Sequence, residues 1–216
     1  MKTEYEVKYF FDSAGEDYEN SRYSYMRAIR ARAIRKELSG ELILDVGCNC
    51  GHLACDYLSG QKLVGIDISL SCLKIANIKC KGSFINASAS ALPFREKVFS
   101  SIVCSEMLYY LKYPQDFLKN AYNLLIPGGK LIVLSSNQLY YRLGRCLGIL
   151  LKLRPKDINE RTYYRSKIIS LLRVAGFINI NWCSKGVLPV RGFEFLDRTF
   201  LNRIGFIHVV TGYRPA

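Results

Sequence analysis

Two acidic residues that could bind a ligand, Asp45 and Asp67, lie at or beside the ends of two successive apolar segments. Residues 42–46 and 62–67 have the composition of buried strands, and a short helical pattern separates them. A strand, a tight loop, a helix and a second strand that ends in an acid form half of a nucleoside-binding fold. The Asp67 carboxylate could accept hydrogen bonds from both ribose hydroxyls. The alternative is an ordinary surface acid at a strand end.

The loop after the first strand indicates which kind of nucleoside would fit. It reads Gly47-Cys48-Asn49-Cys50-Gly51, with asparagine at the third position. The dinucleotide fingerprint G-x-G-x-x-G requires a glycine where this chain has the bulky His52. Asparagine adopts left-handed backbone geometry more readily than most residues with a side chain, so the turn is retained. We therefore expect a nucleoside ligand without phosphates and consider a nicotinamide dinucleotide disfavoured.

Strands and helices alternate along most of the chain. We predict strands at 42–46, 62–67, 83–86, 100–105, 130–135, 178–183 and 206–212, and helices at 21–38, 51–59, 70–79 and 114–126. Pro127-Gly128-Gly129 is predicted to be a turn into the fifth strand. This order predicts a Rossmann-like, doubly wound α/β fold. Its seven-stranded sheet should be mostly parallel, with an antiparallel last strand and helices on both faces.

Length and composition limit the possible functions. The 216 residues, half of them hydrophobic, suit a single domain over 1–216. The eight cysteines are scattered, apart from Cys48 and Cys50, and the chain has only two histidines, so we predict no metal site. Scattered cysteines, no apolar run of 18 residues and no signal peptide core predict a cytoplasmic protein. The net charge of +13 indicates either an anionic partner or simply a basic surface.

Several motifs, in the right order, resemble those of the class I S-adenosylmethionine-dependent methyltransferases, in particular the small single-domain methyltransferases of type 11. The motifs that carry the resemblance are 43–51, 65–69, 89–94, 99–111 and 124–131. The resemblance implies S-adenosylmethionine as the cofactor. It also implies that residues 1–38 form a helical lid and that 139–176 form a helical, basic cap inserted on the acceptor side.

The resemblance assigns roles to individual residues. The implied cofactor-binding residues are Tyr18, Asp45, Gly47, Cys48, Asn49, Gly51, Asp67, Ile68, Ser88, Ala89 and Ser105. The first loop would surround the methionine part, Asp67 the ribose and Ile68 the adenine, while Tyr18 would cover the cofactor. The family usually has an aspartate at the position of Ser88, so adenine recognition should be rearranged. Ser105 would lie beside the transferred methyl group.

The catalytic residues are less clearly specified. Many relatives have a histidine shortly after the fourth strand, where this chain has Tyr109 and Tyr110. Glu106 is then the candidate general base and Tyr110 an orienting hydroxyl. Glu106 could equally be an acid that hydrogen-bonds to the backbone. His52 is expected to pack against the loop, and Cys104, inside an apolar strand, is expected to be inert.

The acceptor remains open at the sequence level. The (Asp/Asn)-Pro-Pro-(Tyr/Phe) motif of amino-methylating enzymes is absent after the fourth strand. We predict a small-molecule or lipid-like acceptor, methylated on oxygen or carbon. Residues 139–173 contain nine basic and two acidic residues and could contact an anionic membrane surface. A nucleic-acid acceptor such as RNA is less favoured, and a non-catalytic cofactor-binding protein is the remaining alternative.

Overall fold

The computed structural model describes residues 3–18, 24–58, 60–138, 163–186 and 205–216. Its strands are β1 (Leu42–Val46), β2 (Lys62–Asp67), β3 (Ser83–Asn86), β4 (Phe99–Ser105), β5 (Leu125–Ser136), β6 (Ile178–Lys185) and β7 (Ile207–Tyr213). Its helices are α1 (Glu4–Tyr18), α2 (Ser24–Glu37), α3 (His52–Tyr57), α4 (Leu70–Lys79), α5 (Pro114–Leu124) and α6 (Arg165–Val174), with a 3₁₀ turn at Leu108–Tyr110.

The seven strands form one sheet in the order β3-β2-β1-β4-β5-β7-β6. Only β7 runs against the others, since it pairs antiparallel with both β5 and β6. This arrangement confirms the predicted fold class. The strand order reverses between β1 and β4, and ligands of open α/β sheets bind at such a switch point, beyond the carboxyl ends of the strands. Val46 is level with both Ile66 and Cys104, so β1, β2 and β4 end together.

Each face of the sheet supports its own apolar cluster. Because side chains alternate along a strand, Leu44 joins one cluster and Ile43 the other. Helices α5 and α6 cover the first cluster, where Phe117 and Leu172 are fully buried or nearly so. Helices α2 and α3 cover the second, where Ile34 is completely buried. Both faces are thus closed by helices, which leaves the strand ends as the place for a site.

The fifth strand differs from its prediction. The structure places Pro127, Gly128 and Gly129 inside β5 as a wide bulge, rather than in a turn before the strand. The pairing with β4 moves from Leu125 to Lys130 while β4 advances by two residues. Proline has no N–H for the ladder, and Gly128 has a φ of 75°, so these residues cannot pair regularly.

Part of the prediction falls outside the described residues. Residues 139–162, which make up most of the basic cap, lie outside the description, and of the cap only 163–176 is described. The side chain of Tyr18, the last residue of α1, is likewise outside the description. Among the described residues, no helix combines the length and hydropathy needed to cross a membrane.

Candidate functional site

A cavity of about 780 Å³ lies beyond the carboxyl ends of β1, β2 and β4. Residues of α1, α2 and the segment after β4 complete its walls. The predicted residues that line it are Asp45, Gly47, Cys48, Asn49, Asp67, Ile68, Ser88, Ala89, Ser105, Glu106 and Tyr110. The fold therefore brings eleven predicted residues, separated by up to 65 positions, into one site.

Three N–H groups of the loop after β1 donate hydrogen bonds to residues of β2. The amides of Gly47 and Cys48 both donate to the carbonyl of Ile66, at 2.9 and 3.0 Å. The Asn49 amide donates to Asp67 Oδ2 at 2.9 Å. A pyrophosphate needs a cradle of free N–H groups at a helix start. Because these three amides are already bonded, the loop suits a part of a ligand that carries no phosphate.

Two glycines of this loop have different roles. Gly47 has a φ of 74°, and a Cβ there would lie 2.8 Å from Met107 Cγ, so this wall of the cavity must be bare backbone. Gly51 also has a φ of 74°, but a Cβ there would meet Ala76 of α4 at 3.0 Å. Gly51 does not line the cavity. It permits α3 and α4 to pack closely behind the loop.

Asp67 is the best-prepared hydrogen-bond acceptor in the cavity. Its Oδ2 accepts the Asn49 amide, and its Oδ1 accepts the Ser69 amide at 2.8 Å. Burial raises the pKa of the Asp67 carboxyl, although these backbone donors act in the opposite direction. A carboxylate can accept about four hydrogen bonds. The Ile68 amide also acts on this carboxylate, and the remaining acceptor capacity is available to a ligand that offers hydroxyl groups.

Hydrogen bonds hold helix α1 in place across the cavity, beside Asp67. The Asp12 carboxylate accepts hydrogen bonds from the hydroxyls of Ser69 and Ser71, at 2.6 and 2.9 Å. The adjacent Phe11 lines the cavity, and its ring meets the ring of Tyr110 edge to face at 5.8 Å. The sequence indicated an aromatic lid but favoured Tyr18. Among the aromatic side chains of α1 that the structure describes, Phe11 is the one that lines the cavity.

Glu106 is held by three separate elements. Its Oε1 accepts from Arg30 Nη2 of α2 at 3.2 Å and from Ser136 Oγ of β5 at 2.8 Å. Its Oε2 accepts from the Ser136 amide at 3.1 Å and from the Tyr109 hydroxyl at 3.0 Å. Glu106 also adopts a left-handed backbone, with a φ of 56°. These contacts favour the anchoring interpretation of Glu106 over the general base.

Sequence reasoning missed Arg30. Arg30 lines the cavity, but in the sequence it is one of several basic residues in 21–38. Nothing in its local pattern distinguishes it from Arg32 or Arg35. Only the packing of α2 against the ends of β4 and β5 selects it.

The remaining candidates are structural. His52 lies outside the cavity lining, and its Nδ1 is 3.4 Å from Arg27 Nη1, so it packs beside the loop as expected. Burial raises the pKa of the Cys104 thiol, which keeps it protonated and unreactive. No group of three or more potential metal ligands occurs in the part of the chain that the structure describes.

Comparisons with known proteins agree with this arrangement. Residues 44–133 match a family model described as a methyltransferase domain. A ubiquinone/menaquinone biosynthesis C-methyltransferase from Photorhabdus laumondii is 26% identical over a 200-residue alignment that covers 78% of each chain. Other curated relatives are 30–37% identical, but the chain spans only 34–50% of their lengths.

Solved structures share the fold over nearly the whole chain. A methyltransferase from Thermotoga maritima, described as S-adenosylmethionine-dependent and as a possible histamine N-methyltransferase, has a TM-score of 0.77 at 18% identity. The alignment covers 96% of this chain and 99% of that one. The N-methyltransferase NodS from Bradyrhizobium japonicum, in complex with S-adenosylhomocysteine, has a TM-score of 0.66 at 15% identity, with 97% and 99% coverage.

Proposed function

We propose that this chain is a class I S-adenosylmethionine-dependent methyltransferase, which binds S-adenosylmethionine and transfers its methyl group to a small-molecule or lipid-like acceptor. One observation carries the proposal. Asp67 and a loop whose amides are already bonded meet in one cavity at the switch point of the sheet. That combination suits a ribose joined to a group without phosphates, as in this cofactor.

The residues present fit the cofactor. Gly47 offers bare backbone where a Cβ would collide with Met107, so a ligand can approach the loop closely. Asp67 has acceptor capacity for the ribose hydroxyls, and Ile68, Ser88 and Ala89 line the neighbouring wall for the adenine. The Ser88 hydroxyl accepts from the Ser90 amide at 3.1 Å, so it stabilises its own loop as well as offering a polar atom to the base.

When bound, the cofactor would supply a methyl group on a positively charged sulfur for in-line transfer to an electron pair of the acceptor, with S-adenosylhomocysteine as the leaving group. The protein contributes alignment and the exclusion of water. Phe11 and Tyr110 form the aromatic contact that closes this side of the cavity, and the Asp12 contacts hold α1 in place. Ser105, half-buried at the end of β4, is proposed to lie beside the transferred methyl group.

We propose that Glu106 anchors the site and that Tyr110 orients the acceptor. A general base needs a free oxygen, and each Glu106 oxygen already accepts two hydrogen bonds. An acceptor that ionises readily, such as an acidic hydroxyl or an activated carbon, needs no strong base. This supports methylation on oxygen or carbon, and the quinone-pathway C-methyltransferase from Photorhabdus laumondii is consistent with such an acceptor.

Binding of the cofactor product is the first test. Calorimetry with S-adenosylhomocysteine should give a micromolar dissociation constant that Asp67→Ala weakens at least roughly tenfold, because hydrogen bonding of the ribose hydroxyls to a charged group is lost. Asp116→Ala removes an exposed acid from the first turn of α5 and should leave the constant unchanged. No measurable binding by the wild-type chain would refute the proposal.

Transfer to an acceptor is the second test. The protein is incubated with cofactor labelled in the methyl group and with separate lipid, polar-metabolite and RNA fractions from cells. Label in the lipid or metabolite fraction supports the proposed acceptor class, and label in RNA overturns it. Cofactor binding without label in any fraction would favour a non-catalytic protein.

A further inference from the structure

Five of the eight cysteines occur between positions 48 and 80, around helices α3 and α4. Four of them do not line the cavity, namely Cys50, Cys55, Cys72 and Cys80. These four thiols form two pairs. Cys50 is the side-chain hydrogen-bond partner of Cys72, and Cys55 is that of Cys80. Each pair joins the α3 side of the interface to α4.

The packing of α3 against α4 explains the pairing. Cys72, Ala76 and the C-cap residue Cys80 are spaced four positions apart, so they share one face of α4. A Cβ at Gly51 would lie 3.0 Å from the Ala76 Cβ and 3.5 Å from the Cys80 Cβ. The Cys55 thiol donates to the backbone carbonyl just before Cys80, at 3.5 Å. The two thiol pairs therefore lie on opposite sides of the contact between Gly51 and Ala76.

The two pairs differ in their exposure to solvent. Cys50 and Cys72 are completely buried, and the Cys72 thiol donates to the Phe11 carbonyl of α1 at 3.5 Å. Cys55 is only half-buried. Burial raises the pKa of its partner Cys80 to about 12, so Cys80 remains a thiol, which is the unreactive form. A small oxidant therefore reaches Cys55 before any of the other three.

We propose that Cys55 and Cys80 form a reversible disulfide in the presence of a hydroperoxide, and that this bond loosens the loop at 47–51. With hydrogen peroxide, the Cys55 sulfur attacks one oxygen and the O–O bond breaks, which gives a sulfenic acid and water. The Cys80 sulfur then attacks the Cys55 sulfur. The S–O bond breaks, and the hydroxide leaves with the Cys80 proton as a second water. Two thiols are oxidised, and one peroxide is reduced.

The contact between Gly51 and Ala76 connects this disulfide to the cavity. A disulfide holds its sulfurs about 2.0 Å apart, well inside the contact distance of two separate thiols, so it draws the far ends of α3 and α4 together. Gly51 and Ala76 already touch, and the helices therefore pivot at that contact. On its other side, the loop moves away from the start of α4. This movement lengthens the 2.9 Å hydrogen bond from the Asn49 amide to Asp67 Oδ2.

Peptide mapping tests the disulfide. The protein is treated with equimolar hydrogen peroxide, the remaining thiols are alkylated, and trypsin digests the chain without reduction. Lys74 and Lys79 separate Cys72 from Cys80, so the two possible partners lie on different peptides. Fragmentation of the peptide that spans 37–62 assigns the other sulfur. The expected product links Cys55 to Cys80, and a dithiol reverses it.

Variants of single cysteines provide the controls. Cys80→Ser should abolish the link, and Cys55→Ser removes the same bond at the half-buried position, where a substitution disturbs the packing less. Cys183→Ser replaces another half-buried cysteine, on β6, and should leave the link intact.

The effect on the loop has two measurements. Amide exchange at Asn49 should be several-fold faster in the oxidised protein than in the reduced protein. Calorimetry should show that oxidation raises the dissociation constant of S-adenosylhomocysteine about fivefold or more. Only this second effect rests on the proposed function. After the same peroxide treatment, Cys55→Ser should show neither change, and Cys183→Ser should show both.

The remaining outcomes separate the inference from the proposed function. The absence of a link, or a link between Cys50 and Cys72 instead, would overturn the disulfide. The expected link with unchanged exchange at Asn49 would overturn the coupling to the loop. Failure of the reduced wild type to bind S-adenosylhomocysteine would refute the proposed function, while the mapped link and the exchange data would still decide this inference.

Discussion

The backbone at Gly47 offers a sharp test of how the loop forms the site. Gly47 and Gly128 have nearly identical φ values of 74° and 75°. A Cβ at Gly47 would lie 2.8 Å from Met107 Cγ and 3.1 Å from Met107 Cβ, whereas a Cβ at Gly128 would meet nothing within 4 Å. Alanine at either position thus carries the same backbone strain, and only alanine at 47 adds a collision in the cavity wall.

The magnitudes follow from these distances. A left-handed alanine costs about 1–2 kcal/mol, so Gly128→Ala should lose that amount of unfolding free energy. Gly47→Ala should lose roughly 1–3 kcal/mol more, because the Met107 Cβ is close to the backbone and cannot move freely. Urea unfolding measures the difference. Gly47→Ala should also weaken S-adenosylhomocysteine binding at least tenfold, and Gly128→Ala should not. Equal losses of stability and unchanged binding in the two variants would refute the reasoning.

Three further predictions concern residues outside the loop. Burial, aided by the charge of Arg165, lowers the pKa of His208 from 6.5 to about 4. The neutral His208 therefore contributes stability that is present above pH 6.5 and is lost as the pH falls toward 4, roughly 3 kcal/mol in all. Urea unfolding across this pH range should show the loss of unfolding free energy. His208→Gln should abolish this pH dependence. Asp12→Ala removes the two side-chain hydrogen bonds to Ser69 and Ser71 at the start of α4 and should speed amide exchange in α1 several-fold. Ser13→Ala, on an exposed residue of the same helix, should not. The Arg214 guanidinium donates to three backbone carbonyls around the end of α5. Arg214→Met should therefore lower the free energy of unfolding in urea by about 2–3 kcal/mol and leave the dissociation constant of the ligand unchanged. An equal loss of binding free energy would contradict this assignment.

Local patterns predicted most of the sheet. The bounds of β1, β2, β3 and α4 agree with the prediction to the residue, because each is a short apolar or periodic run between turn residues. The start of β5 was placed too late, since Pro127 and the two glycines after it have the composition of a turn. Their place in the strand depends on the pairing with β4 and on contacts from the chain end, where Gly128 donates to the Arg214 carbonyl at 3.1 Å.

The sequence by itself determined the elements of the candidate half-site. The loop at 47–51 and the acid at Asp67 are set by backbone preferences and strand length, which act over a few residues. Tertiary structure alone decided the contacts of Glu106 and Arg30. Their contact joins residues 76 positions apart, and the contact of Glu106 with Ser136 spans 30. Whether a carboxylate is a base or an anchor depends on which donors the packed helices and strands bring to it, and no local pattern encodes that.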